Sequence, residues 1–331
     1  MIVICRRWHH ASRMQKIRGA GSSCAFNDER SLSKIDFKAI ELKDKPVFDK
    51  ACRARRYENS HYNFTNWYMW RNAFDIRWAM GGDVLYELAD MDGRLTALQP
   101  LGKREDMQQA IGALQAYFKE HGAPLRFFGV DEEMKDELLR YSKDVKIEDF
   151  RDGYDYVYDA EKLRTLSGRK YHGKKNHLNA FCKNYPQAEY MPITADIAQA
   201  CIENIHEWYK VRHEDMPDNK YLTMEKDAAI SVLENFDAFQ VKGGAIFLDG
   251  RVVACTFGEQ LNDDTAVIHI EKADPFVRGA YTAINQMFVE HEWGGMKYIN
   301  REEDMGLPGL RRAKESYKPV MMVKKYNAVL A

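Results

Sequence analysis

The chain has 331 residues, 45% of them hydrophobic and 30% charged, with a net charge of -1 at pH 7. That length favours about two domains, the apolar content suffices for packed cores, and the balanced charge excludes non-specific nucleic-acid binding by the whole surface while allowing a local basic patch. The six cysteines (Cys5, Cys24, Cys52, Cys182, Cys201, Cys255) form no C-x-x-C pair and no His/Cys metal spacing, so no bound metal and no disulfide framework is expected, which fits a reducing, cytoplasmic setting.

Residues 1–33 are basic, carry Ser and Gly, and show no periodicity. They read as a disordered segment or an over-extended start, with Met14 as a rival initiator and an organelle-type presequence as the alternative. Nowhere in the chain is there a run of about 18 apolar residues, so no membrane span is expected.

Residues 34–160 read as a first folded unit. Helical stretches about 45–55 and 62–73 precede a hairpin in which Asp92-Gly93-Arg94 separates Val84–Met91 from Leu95–Leu101. Asp-Gly between alternating apolar runs is a strong hairpin signal. A helix ending Phe118-Lys119-Glu120-His121 follows, then a strand with Arg126-Phe127-Phe128. Asn63, Phe64, Trp67, Trp70 and Arg71 have helical spacing and read as core.

Residues 161–185 form a basic connecting segment. Lys162, Arg164, Arg169, Lys170, Lys174, Lys175 and Lys183, with His172 and His177, occur there without an acidic residue between Lys162 and Lys183. Asp159 is placed to cap a helix, and Gly168 and Gly173 interrupt any long one. A solvated face usually mixes signs, so this run reads as a phosphate-binding track suited to tRNA through Arg169, Lys170, Lys174, Lys175 and His177. The competing reading is a basic linker packed on acidic surface.

Residues 186–331 repeat the earlier order. Helices about 195–213 and 223–236 precede a hairpin in which Asp249-Gly250-Arg251 separates Gly244–Leu248 from Val252–Phe257. A helix ending Phe288-Val289-Glu290-His291 leads to the strand Met296–Ile299. The hairpins lie 157 residues apart and the helix-end tags 170 apart. The difference is assigned to an additional strand, Thr265–Glu271, that only the second unit has. The shared order predicts a duplication.

The closing run Asn300–Pro319 is the most informative. A strand enters a charged cluster, and Pro308 opens a short helix that Pro319 ends. Leu310, Lys314 and Tyr317 share one face at i, i+4 and i+7, and Arg311, Glu315 and Lys318 share the other, which reads as wet. Lys314 therefore faces inward, where an ammonium needs a partner. Glu271, Lys272 and Asp274 end the strand that faces this cluster. His269, on the same face as Glu271, reads as a core histidine.

The element order resembles the GNAT (acyl-CoA N-acyltransferase) fold in tandem. It implies an α/β (α+β) architecture of two domains, each a mixed, mostly antiparallel sheet flanked by helices. The fourth and fifth strands splay apart there and the donor carbonyl sits in the gap, here between Ala266–Ala273 and Met296–Arg301. The runs Asn63-Phe64-x-x-Trp67-x-x-Trp70-Arg71, Leu166–Phe181 and Leu310-Arg311-x-x-Lys314-x-x-Tyr317-x-Pro319 resemble the C-terminal domain of phosphatidylglycerol lysyltransferases, and more closely its stand-alone soluble members. That family is related to Fem-type aminoacyltransferases.

The resemblance implies a transferase that moves an aminoacyl group from aminoacyl-tRNA to an amine or hydroxyl of a lipid or cell-envelope precursor. No intrinsic cofactor is implied, and the setting is cytoplasmic, extending to peripheral contact with a membrane. Lys314 is the expected oxyanion stabiliser, Glu271 or Asp304 the expected proton acceptor, and Arg311, Asn300, Arg278 and Tyr317 the expected substrate contacts. Two alternatives stand beside it: an acyl-CoA-dependent N-acyltransferase, for which Arg278-Gly279-Ala280 is an incomplete pyrophosphate loop, and a non-catalytic binding protein on the same fold.

Overall fold

The computed structural model describes residues 35–215 and 220–330. The expectations for residues 1–33, including Met14, Cys5 and Cys24, lie outside the described residues. The elements in chain order are β1 (Lys38–Ala39), α1 (Lys45–Cys52), α2 (Phe64–Trp70), β2 (Arg77–Gly81), β3 (Val84–Asp90), β4 (Leu95–Ala97), α3 (Met107–Glu120), β5 (Leu125–Val130), α4 (Glu132–Tyr141), β6 (Lys146–Asp149) and β7 (Asp155–Asp159). Then come α5 (Ala160–Thr165), α6 (His172–Asn184), β8 (Glu189–Pro192), α7 (Ala195–Asp215), α8 (Lys220–Leu233), α9 (Phe236–Phe239), β9 (Lys242–Leu248), β10 (Arg251–Gln260) and β11 (Thr265–Ala273). The chain closes with α10 (Ala280–Glu292), β12 (Tyr298–Asn300), α11 (Pro308–Ser316), β13 (Met321–Val323) and β14 (Tyr326–Leu330). Local chemistry sets several starts: the side chains of Asn63, Asp131 and Asp159 accept from the backbone N–H three residues on, at the heads of α2, α4 and α5.

These strands make two seven-stranded sheets, ordered β1-β2-β3-β4-β5-β14-β6 and β13-β7-β12-β11-β10-β9-β8. The two share one pairing scheme. In each, two antiparallel steps (β2-β3-β4 and β9-β10-β11) lead to a parallel pair (β4-β5 and β11-β12) joined through a helix, α3 or α10. This is the expected fold class of mixed, mostly antiparallel sheets flanked by helices.

Two expectations about its layout are corrected. The Asp92-Gly93 and Asp249-Gly250 hairpins are not equivalent positions. The counterpart of the β9-β10 hairpin is β2-β3, turning at Gly82, and the counterpart of β11 is β4. The second sheet has no additional strand; its β10 and β11 are simply longer than β3 and β4. The unit boundaries at 160 and 186 also follow chain order where the strands do not. β7, before residue 160, pairs with β12 and β13 of the second sheet, and β14, at the C-terminal end, inserts between β5 and β6 of the first. Each sheet thus borrows one strand from the other half of the chain, which locks the halves together.

The largest apolar core lies between the sheets. It joins Leu85 and Ala89 of β3 to α1, α2, α7, α8 and the β10 residues Val252, Cys255 and Phe257. All seven residues of α2 are buried. The strand β10 carries a register shift between Phe257 and Gly258. A Cβ on Gly258 would lie 2.1 Å from the Val267 carbonyl oxygen of the neighbouring strand. Backbone cannot yield there as a flexible side chain would, so Gly258→Ala is expected to cost about 1–3 kcal/mol, read as a shift in the urea midpoint at unchanged slope.

Candidate functional site

The strands β11 and β12 pair in parallel over three positions, from Thr265↔Tyr298 to Val267↔Asn300. Beyond Val267, β11 runs on to Ala273 while the chain leaves β12 at Asn300, and the two diverge. The loop Arg301–Gly306 fills the mouth of the opening, with Glu302, Met305 and Gly306 at positive φ. Non-glycine residues hold that conformation only under outside constraint, and Lys314 supplies one. Its buried ammonium donates to the carbonyls of Arg301 and Glu302. Burial, then the Arg301 charge, lowers its pKa to about 8.

The inward placement of Lys314 and Tyr317 agrees with the helical spacing. The hydrogen bonds of Lys314 go to backbone and hold the loop, a structural task beside the role read for it from the sequence. Lys314→Met should therefore appear first as lost stability. Leaving two buried carbonyls short of a donor costs about 1–3 kcal/mol, measurable by urea unfolding, whereas a purely catalytic lysine would leave the midpoint in place.

Arg301 is the cation the loop presents to the opening. Its Nη2 donates to Glu271 Oε1 at 2.8 Å, its guanidinium lies 4.6 Å from the centre of the Tyr317 ring, and its Nη1 is buried without a partner. The Lys174 Nζ sits 3.9 Å from the same Tyr317 ring. Burial, then the neighbouring Arg301, lowers the Lys174 pKa to about 8. Glu271 also accepts from Asn285 Nδ2 at 2.9 Å, and Asn285 Oδ1 is buried without a partner. Two cations, one carboxylate and a tyrosine face thus share one half-buried place. That arrangement can bind an anion or receive developing negative charge.

The other expected contacts separate from it. Asp304 is fully buried and accepts from Arg311 Nε and Nη2, Tyr156 Oη and the Gly306 N–H. Despite its burial, these bonds hold its carboxyl below the usual range. All of these bonds favour the ionised form, which makes Asp304 a weak base. Arg311, read as wet-faced and as a substrate contact, is bound to Asp304 and Asp152. Asn300 is buried, with Nδ2 donating to the Glu58 carbonyl and Asp155, and so ties loops together. Arg278 is exposed just before α10. His269 holds more than a core place: its ring nitrogens lie 2.9 Å from Glu302 Oε1 and 3.0 Å from Glu259 Oε1. Burial opposes the charge, but the two carboxylates raise its pKa to about 9.

In the basic segment, Arg169, Lys170, Lys175 and His177 are exposed along α6 and the turn before it, while Lys174 alone turns into the opening. Gly279, at φ +90°, heads α10. A Cβ there would lie 2.6 Å from the His177 carbonyl oxygen, so the α6 backbone closes over the start of α10. Arg301, Asn285 and Glu302 were not singled out by sequence. Position immediately after β12 was the available signal for Arg301. Among the described residues no group of His, Cys, Asp and Glu is placed to hold a metal.

The family model described as phosphatidylglycerol lysyltransferase, C-terminal, matches residues 53–329. Among solved structures, the chain is similar to a conserved protein of unknown function from Bacteroides thetaiotaomicron (34% identity, TM-score 0.83, covering 90% of this chain and 100% of that one). It also resembles the L-PGS of Bacillus licheniformis (15% identity, TM-score 0.65, 88% and 93% covered) and FemX (9% identity, TM-score 0.59, 89% and 97% covered). At those identities the last two establish shared fold alone. A curated relative, an uncharacterised protein of Mycoplasmoides gallisepticum, is 25% identical over 52% of this chain, and the match spans about half (54%) of that protein's length.

Proposed function

The chain belongs to the phosphatidylglycerol lysyltransferase C-terminal family, and from that premise we propose that it transfers an aminoacyl group from aminoacyl-tRNA to an amine or hydroxyl acceptor. The observation that carries this reading is the continuity of charge. The exposed cations of α6 lead directly to Lys174, which enters the opening beside Arg301 and Glu271. A tRNA phosphate track would thereby end at a site suited to its 3′ ester.

An aminoacyl ester is already activated, so positioning and charge stabilisation suffice. The acceptor attacks the ester carbonyl, and Arg301 and Lys174 take the charge that develops on oxygen. The new amide or ester bond forms as the bond to the tRNA 3′ oxygen breaks. The acceptor's proton passes to Glu271 and then to that leaving oxygen. The reading places the reaction in the cytoplasm, with a lipid or cell-envelope precursor approached from the membrane face. Coenzyme A is a poorer fit as donor, because the α6 backbone crowds the start of α10, where a helix N-terminus would hold its pyrophosphate.

The direct test offers the protein total tRNA charged with each labelled amino acid, together with a lipid and envelope-precursor extract. Label should move to the extract for at least one amino acid; no transfer for any of them defeats the proposal. A binding test is independent of the acceptor. Affinity for tRNA should fall steeply with salt, and Lys170→Glu with Lys175→Glu should reduce the slope of log affinity against log salt by about 2, one for each lost phosphate contact.

A further inference from the structure

Asn285 has no part in the chemistry above, yet it is fixed beside the expected proton acceptor. Thr282, three residues earlier on α10, meets Tyr317 Oη at 3.4 Å, so the helix face that Thr282 and Asn285 share lines the opening. Asn285 is 0% exposed. Its Nδ2 donates to Glu271 Oε2 at 2.9 Å, and its Oδ1, bonded to the same carbon, is buried without a partner. The amide cannot be turned end for end, because Oδ1 would then meet the carboxylate, acceptor against acceptor. Arg301 Nη1 is the matching atom at the other carboxylate oxygen. Its sister Nη2 holds Glu271 Oε1 at 2.8 Å, while Nη1 itself is buried without a partner. A guanidinium nitrogen can only donate and an amide oxygen can only accept. One carboxylate is thus flanked by one free donor and one free acceptor. The Glu271 and Arg301 side chains each remain 12% exposed, so the group is reached from solvent.

The oxygen of the ester carbonyl accounts for Arg301 Nη1. Asn285 Oδ1 needs a hydrogen from another body, and the acceptor is the one that must come to Glu271. A hydroxyl has a single hydrogen, which has to point at Glu271 for the proton to leave. Its oxygen would then turn lone pairs toward Asn285 Oδ1. A neutral primary amine fits on every side. Its lone pair faces the carbonyl carbon, one hydrogen goes to Glu271, the second goes to Asn285 Oδ1, and the carbon chain leads out. A site built to pair with a substrate N–H rejects the analogue that lacks it, because its own buried atom is left unpaired.

We propose that the acceptor is a primary amine and that Asn285 Oδ1 positions it for attack. This rests on the transferase reading and narrows its acceptor from amine or hydroxyl to amine. The amine sheds any extra proton to solvent and attacks in its neutral form. The new N–C bond forms as the bond from the carbonyl carbon to the tRNA 3′ oxygen breaks. The proton that faces Glu271 passes through it to that leaving oxygen, and the product is an amide.

The test uses the whole chain with the charged tRNA and extract of the transfer assay. Labelled product freed of tRNA is treated with neutral hydroxylamine, which releases amino acids from esters and leaves amides whole. Nearly all of the label should stay in place. Reductive methylation of the extract beforehand turns its primary amines into tertiary ones and spares hydroxyls, and it should abolish transfer. Asn285→Ala should raise the extract concentration that gives half the maximal rate by about tenfold or more and leave KM for aminoacyl-tRNA unchanged. Lost stability alone would lower only the maximal rate. Should Asn285→Ala not fold, the bond type and the methylated extract decide on the wild-type protein. Label released by hydroxylamine, or full transfer to methylated extract, overturns the proposal while the transferase reading stands. So does an Asn285→Ala enzyme with unchanged half-saturation by extract, or one in which KM for aminoacyl-tRNA rises in its place. Transfer to no extract with any amino acid defeats the transferase reading and this assignment with it.

Discussion

Lys325→Met should destabilise the protein by about 3–5 kcal/mol, the usual consequence of removing one partner from a buried charge cluster. Lys325 is fully buried where the chain crosses from β13 in the second sheet to β14 in the first. Its Nζ lies 2.6 Å from Asp155 Oδ1, 3.4 Å from Glu303 Oε2, 3.2 Å from Ser60 Oγ and 3.0 Å from His61 Nε2. Asp155 opens β7, the other exchanged strand, and also accepts from the Ser60 N–H, the Ser60 hydroxyl and Asn300. One ammonium therefore pairs with two carboxylates at the point where both strand exchanges meet.

Methionine matches the lysine stem and leaves those carboxylates with no cation. Urea unfolding reads the loss directly. Adding Asp155→Asn should return part of it, because the double variant buries one charge fewer, so the two costs should not add. A loss under about 1 kcal/mol for Lys325→Met would show that the cluster is worth no more than a surface pair. The same place gives a pH signature. Burial, then the Lys325 charge, lowers the His61 pKa to about 4 from its ordinary 6.5. The unfolded chain therefore binds a proton that the folded chain refuses between those values. Stability from this group is present above pH 6.5 and is lost as pH falls toward 4.

That cluster also marks where sequence reading ended. Periodicity found α1, α2, α7, α8 and α10, because each carries apolar spacing over several turns. It found β11, β12 and the divergence between them, since long apolar runs flank a single helix. It also turned Lys314 and Tyr317 inward correctly from i, i+3 spacing. It missed β2, where Arg77-Trp78-Ala79-Met80 turns at Gly81-Gly82 without the Asp-Gly signal, and the hairpin equivalence then slipped by one strand.

The exchange of β7 and β14 has no local signature at all. Either strand reads as an apolar run able to join any sheet edge, and only packing across the whole chain chooses. The site shows the same division. Charge at the strand end was visible, but which cation meets which carboxylate was not. Asp304 and Arg311 neutralise each other seven residues apart, and that pairing releases Arg301 and Lys174, separated by 127 positions, to share Tyr317.

Arg301→Lys, if transfer runs as proposed, should lower kcat by about 10²–10³, the range seen when one preorganised donor to a developing oxyanion is removed. The substitution keeps the positive charge. It removes the planar fork, which alone can hold Glu271 through one nitrogen and offer the other to substrate. In the resting protein Nη2 is bound to Glu271 and Nη1 is buried without a partner, so the free donor is in place before reaction begins. KM for aminoacyl-tRNA should change little, because the phosphate contacts lie on α6.

Lys174 gives the complementary signature. With its pKa lowered to about 8, it is charged below that pH and neutral above it. The transfer rate should therefore decline as pH rises through about 8 and hold steady below. Lys174→Arg keeps its charge across that range and should abolish the alkaline decline. A wild-type rate flat to pH 10, or an Arg301→Lys enzyme at full kcat, would remove these two cations from the chemistry and return the opening to a structural role.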